Sequence, residues 1–226
     1  MNILLVVAKA PVPGLAKTRL CPPASPEQAA RIAAAALLAT LAAVRATAAT
    51  IPVLAHTGRF SDAEYADELA AALAGWHLLP QHGDTFADRL AHAHAEAGAA
   101  FPGRPVLQVG MDTPQVSPDT LSAAFDRLTG ADAVLGPAVD GGWWALGLRD
   151  PGQASALRPV PMSTPQTGRQ TLAALRARGL RVAVLPVLRD VDDWDAARAV
   201  ADDLPGSRFA RAVHETGTVV TEGARR

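Results

Sequence analysis

The sequence predicts an α/β fold, a single-domain three-layer sandwich in which helices flank a mainly parallel sheet. Three observations carry this prediction. Short β-rich runs alternate with alanine-rich helical stretches. The runs are apolar without the polar alternation of a half-exposed strand, as suits strands covered on both faces. No linker, repeat or low-complexity block divides the 226 residues, 49% of which are hydrophobic. Alternating β and α segments give a parallel sheet, and ligands of such sheets gather beyond the carboxyl ends of the strands.

Strands are expected at 3–7, 51–55, 76–79, 105–109, 133–135 and 182–187, with another after the glycine pair at 141–142. Ser25, Pro26 and Gln28 predict a helix start with a capping box. Ser61 with Glu64 repeats the box, and Ser117-Pro118 opens a further helix. The stretch 86–99 reads as helical, which turns His92 and His94, two residues apart, in different directions and makes both surface residues. Periodicity fades after residue 203, so 1–203 is expected to be the folded domain and 204–226 a partly ordered tail.

Composition narrows the function classes. A net charge of −1 and a pI near 6.6 argue against nucleic-acid binding, which draws on a basic excess. The richest apolar stretch, 29–44, is mostly alanine and is broken by Arg31, so no membrane span is expected. The amino terminus reads as a buried strand and not as a signal peptide, which predicts a cytoplasmic protein. The single cysteine, Cys21, excludes an internal disulfide or a multi-cysteine zinc site and reads as a packed thiol.

The positive charge that matters is local. Only two of the 21 basic residues are lysines, Lys9 and Lys17, and both lie in the loop after the first strand. Backbone amides near Gly14 could approach a phosphate there, while Lys9, Lys17 and Arg19 supply charge. Gly14 has no glycine partner at Walker spacing, so this is not a P-loop. The alternative is a plain surface loop, against which the two prolines argue.

Acids follow at two strand ends. Asp112, in Gly110-Met111-Asp112-Thr113-Pro114, could hold Mg²⁺ or Mn²⁺ against nucleotide phosphates, or simply cap its own turn. Asp192 or Asp190 could complete the metal site, while Asp193 and Asp195 look like first-turn helix acids. In Asp140-Gly141-Gly142-Trp143-Trp144 the glycines permit a tight turn or a close approach to a ligand. Trp143 and Trp144 are then either ring platforms or core. The hydroxyls of Ser163 and Thr164 precede a helix and could bond a polar acceptor. Gln81, Gly83 and Asp84 end the third strand and lead to Arg89, another polar crevice segment.

With these stations in order, the chain resembles the DUF2064 family, provisionally described as glycosyltransferases of the nucleotide-diphospho-sugar transferase superfamily with a GT-A-like (Rossmann-like) fold. The resemblance runs over 2–201 and rests on AKAPVPGLAKTRL, QHGD with its following DR, GMDTP, GPAVDGGWWALGL, MSTPQTGRQTL and DVDDWD. The opening loop also looks like that of nucleotidyltransferases making deazaflavin and molybdopterin cofactors. The resemblance implies that Lys17 and Arg19 contact nucleotide phosphates, that Ala8 and the Gln81–Asp84 turn frame the base, that Asp112 and Asp192 hold Mg²⁺, and that Asp140–Trp144 face the acceptor. Met111, Met162, Phe86-Ala87 and Asp193-Trp194 depart from the family's usual residues, which bears on acceptor identity more than on fold.

The expected activity is metal-dependent transfer from an activated nucleotide. Three cations in the first loop suit nucleotidyl transfer from an NTP to a small phosphorylated or acidic acceptor, because pyrophosphate must leave. A glycosyltransferase using an NDP-sugar is the alternative, and a non-catalytic nucleotide-binding protein a third. Lys17, Arg19 and Asp112 are the candidate catalytic residues, a nucleotide and a small acceptor the expected partners, and a homodimer is compatible with the sequence.

Overall fold

The structure, a computed structural model, describes residues 1–223. Among these, one sheet contains β1 (Asn2–Lys9), β2 (Thr50–Thr57), β3 (His77–Pro80), β4 (Val106–Gly110), β5 (Ala133–Pro137), β6 (Trp143–Leu148) and β7 (Val182–Val184). The helices are α1 (Pro26–Ala46), α2 (Ala66–Ala72), α3 (Phe86–Ala100), α4 (Pro118–Thr129), α5 (Thr167–Ala177), α6 (Trp194–Asp203) and α7 (Arg208–Gly223). The strand order is β3-β2-β1-β4-β6-β5-β7. Every neighbouring pair is parallel except those made by β6, which runs antiparallel to β4 and β5.

Strand alternation sorts the apolar runs onto two cores. On β1, Leu4, Val6 and Ala8 pack with Leu37 and Leu41 of α1 and Leu121 and Leu128 of α4. Ile3, Leu5 and Val7 pack on the other face with Leu90 and Ala97 of α3 and Leu175 of α5. Both faces are therefore dry, which is why the strands read as unbroken apolar runs.

Helix α1 is buried on two sides. Its Ala33, Ala34 and Leu37 meet the sheet, while Ala29, Ile32 and Ala36 meet Val200 of α6 and Phe209 and Val213 of α7. Alanine on both stripes lets neighbours approach closely. The helix is long and apolar enough to cross a membrane, with mean hydropathy 1.6, but 67% of that window is buried within the protein. Its start is the expected box: Ser25 Oγ accepts from Gln28 N–H and Gln28 Oε1 accepts from Ser25 N–H.

Four expectations differ from the structure. Ser61 and Glu64 form no capping box: Ser61 Oγ donates to Asp62, Glu64 accepts from Arg31, and α2 begins only after Tyr65, whose φ is +56°. His94 is fully buried and not at the surface, with Nε2 3.0 Å from Gln108 Oε1; His92 is half-buried, with Nδ1 2.9 Å from the His82 carbonyl. The last strand stops at Val184, before Pro186, which has no N–H for a sheet ladder. The stretch expected as a tail carries α7, whose Phe209, Ala210 and Val213 are buried; residues 224–226 lie outside the described residues.

Candidate nucleotide and metal site

Beyond the carboxyl ends of β1 and β4 lies a cavity of about 800 Å³. The loop after β1 reaches across it. Lys17 Nζ lies 2.8 Å from Asp112 Oδ2 and 2.7 Å from Asp192 Oδ1, and Arg19 lies 3.4 Å from the other oxygen of Asp192. Lys17 adopts φ +48°, and Ser163, which also lines the cavity, φ +59°. A left-handed backbone is costly for residues with a Cβ, and such positions persist where surrounding structure over-determines them.

The acids are held by the backbone. Asp112 follows β4, and its carbonyl accepts from Val191 N–H at 2.8 Å, which fastens the 190–192 segment beside it. Oxygens of Asp140, Asp190 and Asp192 lie within 4.8 Å of one another. Burial, reinforced by Asp140, Asp112 and Asp192, pushes the Asp190 carboxyl up to about 6. Burial acts in the same direction on Asp192, but the Lys17 and Arg19 charges outweigh it and hold its carboxyl below the usual range. For Lys17 burial disfavours the ammonium, and the Asp112 and Asp192 charges overcome it and raise its pKa.

This donor set suits a hard divalent cation. Mg²⁺ and Mn²⁺ take carboxylate oxygens, and among the described residues the clustered donors are all carboxylates, with no histidine or cysteine to favour zinc. The expected pair Asp112 and Asp192 is bridged by Lys17, whereas the acids that converge without an intervening cation are Asp140, Asp190 and Asp192. Asp192 belongs to both groups.

Most predicted residues line the cavity. Ala8, Lys9, Lys17 and Arg19 do so from the first loop, and Gln81 and Arg89 from beside β3 and α3. Asp112, Asp140 and Asp192 line it, as do Gly142, Trp143 and Trp144, and Ser163 with Thr164. Gly14 is exposed, and it, Gly83, Asp84 and Gly141 stand outside the lining. Gly83, at φ +134°, instead lets the chain pass α3: a Cβ there would lie 2.8 Å from that of Asp88. Gly141, at φ +88°, abuts the Pro165 carbonyl, and its own carbonyl accepts from Gly168 N–H. The first glycine of the pair thus joins two walls of the cavity instead of meeting a ligand.

Side-chain roles are divided. Gln81 donates to the carbonyls of Ala55 and Ala8, tying three strand ends together. Arg89 lies 5.6 Å from the Phe86 ring centroid at the cavity wall. Trp144 is core, donating from Nε1 to the Pro186 carbonyl, while half-buried Trp143 has its indole N–H unpartnered. Sequence reasoning missed Gln108, a polar residue inside an apolar strand, which lines the floor. Met111, Met162 and Phe86 all line the cavity.

The fold is shared with solved structures. A protein of Desulfovibrio desulfuricans G20, provisionally described as a nucleotide-diphospho-sugar transferase, superposes with a TM-score of 0.85 at 22% identity, covering 98% of each chain. Rv0371c of Mycobacterium tuberculosis H37Rv, solved in complex with manganese, gives 0.54 at 22% identity over 88% of this chain and 98% of its own. A CMP:2-keto-3-deoxy-manno-octonic acid synthetase complexed with CTP gives 0.54 at 10% identity over 95% and 100%. No curated protein sequence matches. The profile of the DUF2064 family, described as an uncharacterized protein conserved in bacteria, matches residues 40–164. That span holds Gln81, Arg89, Asp112 and Asp140, and the structure brings Lys17 and Asp192 to them from outside it. By a match over more than half of its length, the chain belongs to the DUF2064 family.

Proposed function

We propose that the protein is a Mg²⁺- or Mn²⁺-dependent nucleotidyltransferase. It passes a nucleotidyl group from an NTP to a small phosphorylated or acidic acceptor and releases pyrophosphate. The observation that carries this reading is the meeting of Lys17 and Arg19 with Asp112 and Asp192 at the carboxyl end of β1 and β4. Similarity of fold to a CTP-bound synthetase and to a manganese-bound protein supports it.

An acceptor oxygen attacks the α-phosphorus, the bond from that phosphorus to the bridging oxygen breaks, and the electron pair leaves with pyrophosphate. The protein's task is positioning and charge compensation. Lys17, Arg19 and Lys9 face the β- and γ-phosphates, and Trp143, Ser163 and Thr164 face the acceptor. The cavity wall carries four cations, Lys9, Lys17, Arg19 and Arg89, and four carboxylates, Asp112, Asp140, Asp190 and Asp192. It is therefore no ready-made trap for a triphosphate. A divalent ion held by Asp192 with Asp112 or Asp190 would supply the missing positive charge and withdraw charge from the leaving group.

A second reading, transfer from an NDP-sugar, is favoured by Trp143, whose ring at the cavity wall offers an apolar face for a sugar to pack against. Incubation with each NTP, Mg²⁺ and a panel of small phosphates and carboxylates, followed by ³¹P NMR, separates the two. Pyrophosphate release supports nucleotidyl transfer. Inertness towards every NTP, with NDP released from an NDP-sugar, moves the assignment to the second reading.

A further inference from the structure

Lys17 occupies an unusual position for a phosphate-binding residue. Its side chain is 14% exposed, and its ammonium donates to one oxygen of each acid at 2.7–2.8 Å and bridges them across a sequence separation of 80 residues. Its backbone is held at φ +48°, so the loop sets this direction and not merely the long side chain. A cation bound by both Asp112 and Asp192 would need its oxygens at about 2.0–2.1 Å for Mg²⁺, in the space Nζ fills. An ammonium and a divalent ion repel each other there, so the two cannot share the pair.

We propose that Lys17 is a built-in counter-ion that competes with the divalent cation for Asp112 and Asp192. When the ion binds, Lys17 is displaced towards the phosphates, which couples metal binding to nucleotide binding. This rests on the nucleotidyl-transfer reading for the destination of Lys17, but the competition itself needs only the metal and the two acids. Without a cation the paired carboxylates would face each other across a half-buried gap, and Lys17 prevents this. Its four-carbon stem has the rotational freedom to swing the charge out, which a planar, forked guanidinium would do less readily. Lys17 is thus an exchanging residue, and the two ligands favour one another reciprocally because each removes the other's obstacle.

The test is Mn²⁺ binding without nucleotide, followed by electron paramagnetic resonance of the free ion. The proteins are the wild type, Lys17→Met, Lys17→Gln, Asp112→Asn and Asp192→Asn. Both Lys17 variants are expected to bind Mn²⁺ at least tenfold more tightly than the wild type, and both Asp variants at least tenfold more weakly. A residue that merely props up the site would weaken binding when removed. The chain has two lysines, so isotope-labelled lysine gives two side-chain NMR signals, which Lys9→Arg assigns. Mg²⁺ should shift the Lys17 signal towards that of a solvated lysine. Mn²⁺ bound through the acids with unchanged or weaker affinity in both Lys17 variants overturns the competition alone. Mn²⁺ binding indifferent to Asp112 and Asp192 overturns the metal site, and the competition with it.

Discussion

Acidification to pH 5 should destabilise the protein through a single buried imidazole. His94 on α3 is fully buried, with Nε2 set 3.0 Å from Gln108 Oε1 and Nδ1 unpartnered. Burial pushes its pKa from 6.5 down to about 4, against a small opposing effect of the Gln108 bond. The unfolded chain therefore takes up a proton below pH 6.5 that the folded protein refuses until about pH 4. The contribution is whole above pH 6.5 and is lost as pH falls towards 4, the direction required when the unfolded state binds more protons. Each pH unit between the two values is worth about 1.4 kcal/mol, which gives a loss of roughly 2 kcal/mol at pH 5. Urea unfolding at pH 7.5 and 5.0 measures it. His94→Gln keeps a donor for Gln108 and does not titrate, so the wild type should lose roughly 2 kcal/mol more than the variant. Equal losses in the two proteins would refute the reasoning.

Other perturbations probe the site and the helical layer. Asp112→Asn should lower turnover on the order of 10²–10³-fold while leaving near-ultraviolet circular dichroism unchanged, since electrostatic groups at a reacting phosphate are worth about that much and the carboxylate is half-buried. Gly141→Ala should destabilise the fold by about 1–3 kcal/mol in urea, because its φ of +88° and the Pro165 carbonyl both oppose a Cβ. Phe209→Ala should cost about 3–5 kcal/mol, since this α7 residue is 1% exposed where α7 packs on α1 and α6; a loss under 1 kcal/mol would return α7 to the status of a loose tail.

What the sequence disclosed was mostly local or periodic. The Ser25 box needs only residues three apart, and apolar runs such as 3–7 need only burial on both faces. The cations of the first loop and the acids after β4 and β7 were legible because strand ends in an α/β sheet define where ligands sit. The reversed β6 was only partly legible: its hairpin with β5 is local, across the Asp140–Gly142 turn, whereas its pairing with β4 depends on contacts distant in sequence. The Ser61 box failed because Arg31, on another helix, takes Glu64. His94 and Gln108 were missed for one shared reason: each reads as polar in isolation, and only their mutual hydrogen bond makes them acceptable in the core. A signal did exist, since Gln108 interrupts an otherwise apolar strand. The α7 stripe of Phe209, Ala212, Val213 and Thr216 has helical spacing that the surrounding Gly, Thr and charge obscured. The Gly141-Gly142 pair left a tight turn and a ligand approach equally open, and the contacts of Gly141 with Pro165 and of Gly83 with Asp88 depend on tertiary packing.

The most direct test of the nucleotide site is calorimetric titration of the wild type and Asp192→Asn with the four NTPs and a set of NDP-sugars, each with and without Mg²⁺. The account predicts that one NTP binds tightly to the wild type only with Mg²⁺, and that Asp192→Asn abolishes this dependence. Absence of binding by every nucleotide, with and without the ion, would contradict it.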